Sequence, residues 1–132
     1  MTSELDQVLR DFLVESQENL ERLDQEFIDL ENDPENKELL ASIFRTIHTI
    51  KGSAGFLRLA NLEQVSHYAE DVLAKLRNQT LKLDAALTTT LLSAVDCIKS
   101  ILVHLQRNGE EGEHNMQQVI DDLKAIIAKE DV

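Results

Sequence analysis

The chain has 132 residues, enough for one domain with its own core, and 42% of them are apolar while only 4% are aromatic. A single proline, four glycines and a composition led by Leu, Ile, Ala, Glu, Asp and Gln favour helix over sheet. With 25 acidic against 13 basic residues the net charge is −12, which repels nucleic-acid phosphates and anionic membrane surfaces and removes both from the expected partners.

The one cysteine, Cys97, cannot form an internal disulfide, and the N-terminus lacks the basic, apolar and small-residue succession of a signal peptide. A cytoplasmic protein is expected. No apolar run is read as approaching the roughly 20 residues that span a bilayer, Arg58 and Glu63 interrupting the longest mixed stretch.

In chain order, Leu5, Leu9, Phe12, Leu20, Leu23, Phe27 and Leu30 recur at spacings of three and four, with only Ser16 breaking the stripe. This predicts a long amphipathic helix over about 3–31. "NDPEN" ends it, and Asp33 before Pro34 predicts an N-cap with a first-turn proline, opening a second helix over about 35–55. Asn61 with Gln64 three residues on resembles a capping box. Leu62, Val65, Ala69, Val72 and Leu76 then mark a third helix over about 61–78.

"NQTLKLD" reads as a polar turn whose leucines can cover one end of a bundle. Leu87, Leu91, Ala94, Ile98, Ile101 and Leu105 form the stripe of a fourth helix over about 84–107. "RNGEEGEH", with two glycines and three acids, predicts a flexible acidic linker over about 108–114. Met116, Val119, Ile120, Leu123, Ile126 and Ile127 predict a shorter fifth helix over about 115–130. Four one-sided stripes on short connections predict an all-α, monomeric single domain: an antiparallel up-down four-helix bundle with an additional C-terminal fifth helix.

"FRTIHTIKGSAGF", Phe44 to Phe56, holds two of the four glycines, although glycine costs about 1 kcal/mol against alanine inside a helix. At about 100° per residue, Leu40, Ile43, Ile47, Ile50 and Ala54 define the buried arc, and His48 falls roughly 120° from its centre, facing water. Lys51 and Gly52 lie one turn beyond His48 and Phe44 one turn before, so the imidazole has a cation beside it and bare backbone next to it. Lys37, Arg45, Lys51 and Arg58 make this a mildly basic island, with Glu38 the only acid between the first and last of them.

On the third helix Glu63, His67 and Glu70 share the flank away from Val65 and Val72. If the two helices pack as antiparallel neighbours, a carboxylate can accept the Nδ1 proton of His48 and leave a lone pair on Nε2 for attack. A phosphoryl group suits such a site, because imidazole, with an unperturbed pKa of about 6.5, is largely neutral near pH 7 and a nearby cation offsets the transferred charge. The chain has no GxxxxGK[ST] loop, so it is expected to receive a phosphoryl group rather than draw one from ATP itself.

"HTIKGSAG", carrying His48, Lys51, Gly52 and Gly55, resembles the signature of histidine phosphotransfer domains. Together with "LEQVSHYAEDVL" it most resembles the N-terminal phosphotransfer domain of CheA-like chemotaxis histidine kinases, most strongly from Phe44 to Leu76. The resemblance implies that His48 is phosphorylated at Nε2 by a histidine kinase catalytic domain, which uses ATP and Mg. His48 then passes the group to an aspartate of a response-regulator receiver domain. It also implies that Glu70 holds Nδ1, that Lys51 eases the phosphoryl charge and that His67 belongs to the hydrogen-bond network. Gly52 leaves room for the partner, with Phe44 and Arg45 bordering the docking face, and Gly55 serves close helix packing. The domain itself binds no cofactor and no metal, and is not an enzyme in isolation. Arg58 departs from the pattern, standing in "FLRL" where relatives often carry glycine, with partner preference the expected consequence.

Two other readings compete. A metal-binding bundle could use His48, His67 and Glu70, but the only Glu-x-x-His spacing is Glu111 to His114, across a glycine linker. A helical interaction scaffold without chemistry would account for the stripes equally well. Glu63 is expected to serve the helix N-terminal dipole. Phe12, Phe27, Phe44 and Phe56 are expected at the core or its edge, and no role is assigned to His104 or His114.

Overall fold

The computed structural model describes residues 4–112 and 116–130, and five α-helices account for most of them: α1 (Glu4–Asn32), α2 (Lys37–Phe56), α3 (Ala60–Arg77), α4 (Ala85–Asn108) and α5 (Gln117–Glu130). Positions 3 and 115, where the first and fifth helices were expected to start, lie outside the described residues, as do His114 and the linker at 113–114. Among the described residues there is no strand. Helix α2 packs on α1 and α3, α3 on α4, and α4 on α1, closing a ring of neighbouring helices, while α5 lies against α3 and α4. This is the expected up-down four-helix bundle with a fifth helix on its outside.

The predicted stripes fill the interior. Leu23, Phe27 and Leu30 of α1, Ile43, Ile47 and Ile50 of α2, Leu62, Val65 and Val72 of α3, and Ile98 and Ile101 of α4 are all essentially inaccessible to water. Each such side chain contributes about 1.5–3 kcal/mol by leaving water. Ser16 stays inside the α1 stripe, buried, and Leu81 and Leu83 do cover the core edge at the α3–α4 turn. Leu5 and Phe56 depart from expectation, at 57% and 72% exposed. Leu5 sits in the first turn of α1. The same 100° arithmetic puts Phe56 about 160° from the centre of the α2 core arc, so its aromatic character alone suggested burial.

The helix ends correct two expectations. The N-cap of α2 is Asn36, not Asp33: its side chain accepts from the Leu39 amide at 3.0 Å, while the Asp33 carbonyl and carboxylate accept from the Asn36 backbone N–H and side-chain amide and close the preceding turn. The capping box at Asn61 does not form, because α3 already begins at Ala60 and Leu59, in the cap position, has no capping side chain. Glu111, some 50 residues on, takes over: its carboxylate accepts from the Leu62 amide at 2.7 Å and the Asn61 amide at 3.3 Å. A charged acceptor at a helix N-terminus satisfies free N–H groups and complements the dipole. The described part of the 108–114 segment is therefore hydrogen-bonded to the start of α3, a contact that its linker-like composition did not suggest. The Gly112 carbonyl accepts from the Asn61 side chain, and its Cα packs so closely on His104 that a Cβ there would overlap the imidazole.

Helix α2 ends in a Schellman motif. The Leu59 N–H donates to the Ala54 carbonyl at 2.8 Å and the Arg58 N–H to that of Gly55 at 3.2 Å, with Arg58 at φ 59°. That left-handed conformation is why glycine suits this position. The departure at Arg58 thus concerns backbone conformation, not partner choice alone. Helix α4 corrects the reading of apolar runs, being long and apolar enough by composition to cross a bilayer. Its hydropathy comes from the leucines, isoleucines and valines of its stripe and from few charges, and most of those apolar side chains are spent on the bundle core.

Candidate functional site

Helices α2 and α3 run antiparallel, and the α2 face bearing Phe44, His48 and Lys51 meets the α3 flank bearing Glu70 and Arg77. The i, i+4 and i, i+7 spacings set each row, and core packing beneath them sets their register. Glu70 is the centre. Its Oε2 lies 2.9 Å from Nδ1 of His48 and its Oε1 lies 2.9 Å from Nζ of Lys51. The Glu70 side chain is 14% exposed, whereas that of His48 is 58% exposed.

Burial by itself would raise the Glu70 carboxyl pKa, but the Lys51 and His48 hydrogen bonds and charges together outweigh burial and hold it below its ordinary value. Glu70 is therefore an anion near neutral pH. An ionised carboxylate can only accept hydrogen bonds, so Nδ1 of His48 must donate, and in the neutral ring the lone pair belongs to Nε2. Among the described residues Nε2 makes no hydrogen bond.

Lys51 was expected beside an incoming phosphoryl group, and here its ammonium is engaged with Glu70, neutralising the carboxylate that holds the imidazole. His67 was expected in the same network, yet its Nε2 lies 3.5 Å from Oδ2 of Asp71 and its ring meets Tyr68 edge to face. It shares no bond with His48, Glu70 or Lys51 among the described residues. Three residues before Glu70 is 300° around the helix, enough to turn His67 toward Asp71. The three-ligand set of His48, His67 and Glu70 is accordingly not assembled.

Gly52 is exposed, and a Cβ there would meet nothing within 4 Å. The space beside His48 is open. Gly55 is different: a Cβ would lie 3.5 Å from Oε1 of Glu63, an ordinary contact, so close helix packing does not demand glycine there. Glu63 stands in the first turn of α3, as expected from the dipole. Arg45 is exposed on the α1 side of His48, in a shallow groove with Asn19, Arg22 and Thr49.

Phe44 lies on the α3 side, partly buried. Its ring is stacked on that of His48, with centroids 5.8 Å apart and planes 11° apart. The Arg77 guanidinium carbon stands 4.1 Å from the Phe44 centroid. Arg77 was missed in the sequence; the usable signal is its place seven residues after Glu70, two turns along one flank.

The chain matches the Hpt domain family over residues 7–129. It is 35% identical over 130 residues to the sensor histidine kinase CheAY of Helicobacter pylori, an alignment covering 96% of this chain and 16% of that protein. The chain thus spans under a fifth of the length of the curated relatives it matches most strongly. Among solved structures, the CheA phosphotransferase domain from Thermotoga maritima matches with a TM-score of 0.73 at 31% identity, over 79% of this chain and 98% of that one. The phosphorylated P1 domain of CheA3, solved in complex with CheY6 from R. sphaeroides, matches with a TM-score of 0.85 over 94% of this chain and 98% of that one, and at 22% identity it supports the fold alone.

Proposed function

The chain belongs to the Hpt domain family, as a histidine phosphotransfer module of the CheA kind, and from that premise we propose that His48 is its phosphoacceptor, charged by a histidine kinase catalytic domain and discharged to a receiver-domain aspartate. The observation that carries this reading is the 2.9 Å contact between Glu70 and Nδ1 on an otherwise exposed imidazole.

In the charging step the Nε2 lone pair attacks the γ-phosphorus of ATP held with Mg in the kinase domain. The Nε2–P bond forms as the bond to the bridging oxygen breaks, and ADP leaves with that electron pair. The imidazole thereby gains positive charge, which the Glu70 carboxylate faces directly through Nδ1–H. In the second step a receiver carboxylate oxygen attacks phosphorus. The P–N electrons return to Nε2, and the neutral ring is restored with Nδ1 still donating to Glu70.

Both partners must bring an active site to the same nitrogen, so they use overlapping surface around Gly52 and Arg45, one at a time. Lys51, held by Glu70, is close enough in sequence and space to shift toward the phosphoryl oxygens once they arrive. The cytoplasm, where ATP is available, is the compartment this chemistry requires, and the domain needs no cofactor of its own.

Incubation of wild-type protein and His48→Gln with ATP and an active kinase catalytic fragment tests the reading. Wild type should acquire an acid-labile, base-stable label and His48→Gln should acquire none. A fragment proven active on another substrate that labels neither protein, or both alike, would remove His48 from the role.

A further inference from the structure

A single hydrogen bond locates one nitrogen of an imidazole but does not settle the plane of the ring, because the last side-chain torsion of histidine is broad. His48 is exposed enough that few other contacts can do so. The described contacts include one candidate: the nearly parallel Phe44 ring, four residues earlier. Phenylalanine has the same torsional softness, and Phe44 is held in turn by the Arg77 guanidinium at 4.1 Å, a cation over an aromatic ring.

Arg77 is in the last turn of α3, and Glu70 lies two turns before it on the same flank. Helix α3 therefore reaches His48 twice, at the ring edge through Glu70 and at the ring face through Arg77 and Phe44. We propose that Arg77 is a positioning residue for His48 that acts through Phe44, holding the imidazole plane in which Nε2 meets a phosphoryl donor. The proposal rests on the phosphoacceptor reading for its consequence in rate, while its consequence in ring orientation stands apart from any transfer.

Phosphoramidate, a donor that needs no kinase domain, separates positioning from docking. With it the Nε2–P bond forms as the donor P–N bond breaks and ammonia leaves with the electron pair. Correctly aligned reacting atoms are the larger part of such a step, so loss of ring orientation should appear in the first-order labelling rate at saturating donor. The test uses the full chain as wild type, Arg77→Ala, Arg77→Gln, Arg77→Lys and Phe44→Leu. The readouts are phosphoramidate labelling and the nuclear Overhauser contact between the Phe44 and His48 rings. Arg77→Gln keeps the side-chain stem and serves if Arg77→Ala fails to fold.

Arg77→Ala, Arg77→Gln and Phe44→Leu should each lower the labelling rate at saturating phosphoramidate by about 3- to 10-fold with the half-saturating phosphoramidate concentration unchanged. The two Arg77 substitutions should also weaken the ring contact, and Arg77→Lys should restore both readouts to within about twofold. Unchanged ring contact and rate without the cation overturns the proposal, as does slowing confined to kinase-catalysed labelling, which would make Arg77 a docking residue. If wild type is not labelled on His48 at all, the phosphoacceptor reading fails, and the ring contact alone then decides whether Arg77 positions the imidazole.

Discussion

Lys51 and His48 divide one carboxylate between them: Oε1 of Glu70 lies 2.9 Å from the ammonium and Oε2 lies 2.9 Å from Nδ1. The lysine offsets part of the negative charge, and the remainder faces the ring that must become cationic during transfer. Glu70→Gln keeps a possible acceptor for Nδ1–H but removes the charge and leaves Lys51 without its ion pair. It should slow phosphorylation of His48 by about tenfold, equivalent to about 1.4 kcal/mol in the barrier. Initial rates with a fixed kinase fragment measure this, and a rate within twofold of wild type would deny Glu70 its role.

The same contacts set an acid dependence. The folded-state pKa of Glu70 is depressed below its ordinary value of 4.5, so its contribution to stability is fully present above that value and is lost as pH falls through the lower, folded-state pKa. Wild type should be more stable than Glu70→Gln near neutral pH, and the gap should narrow progressively as pH falls below the ordinary value of 4.5. Urea unfolding of both proteins at several pH values gives the difference directly. A gap that widens in acid would contradict the direction of the shift.

Arg58 holds φ 59° at the end of α2, a conformation that disfavours a side chain with a Cβ and suits glycine. Arg58→Gly should stabilise the bundle by about 0.5–1 kcal/mol, raising the melting temperature by about 2–6 °C. His48 labelling should not change, since Arg58 makes no contact with the site among those described.

Gly52 has open space where its Cβ would be, and it sits in the interior of α2. Gly52→Ala should therefore stabilise the free domain by about 0.5–1 kcal/mol. Gly52→Trp should leave phosphoramidate labelling of His48 intact while reducing labelling by the kinase fragment at least about tenfold, because the obstruction meets only a macromolecular donor. Equal loss with both donors would show that the residue acts on the imidazole instead of the docking face.

Glu111 caps α3 from the segment after α4. Glu111→Ala should cost about 1 kcal/mol, within the range of lost helix caps. Amide hydrogen exchange at Asn61 and Leu62 should quicken more than at the core positions of α3, localising the loss to that helix end.

The periodicity of Leu, Ile, Val and Ala along the chain was sufficient for five helices, for the buried face of each and for an exposed His48 with Lys51 and Gly52 one turn away. All of these are local consequences of 3.6 residues per turn. It did not decide which α3 residue meets the imidazole. Glu70 lies between His48 and Lys51 while His67 turns to Asp71, and Arg77 reaches Phe44, because interlocking side chains between α2 and α3 select one axial and rotational register of the pair. The capping of α3 by Glu111 was likewise outside any local pattern, since its donors and acceptor are some 50 residues apart and meet only when α4 and α5 close over the bundle. Short-range geometry wrote the elements and the exposed nucleophile; the register of packed helices decided which charges surround it.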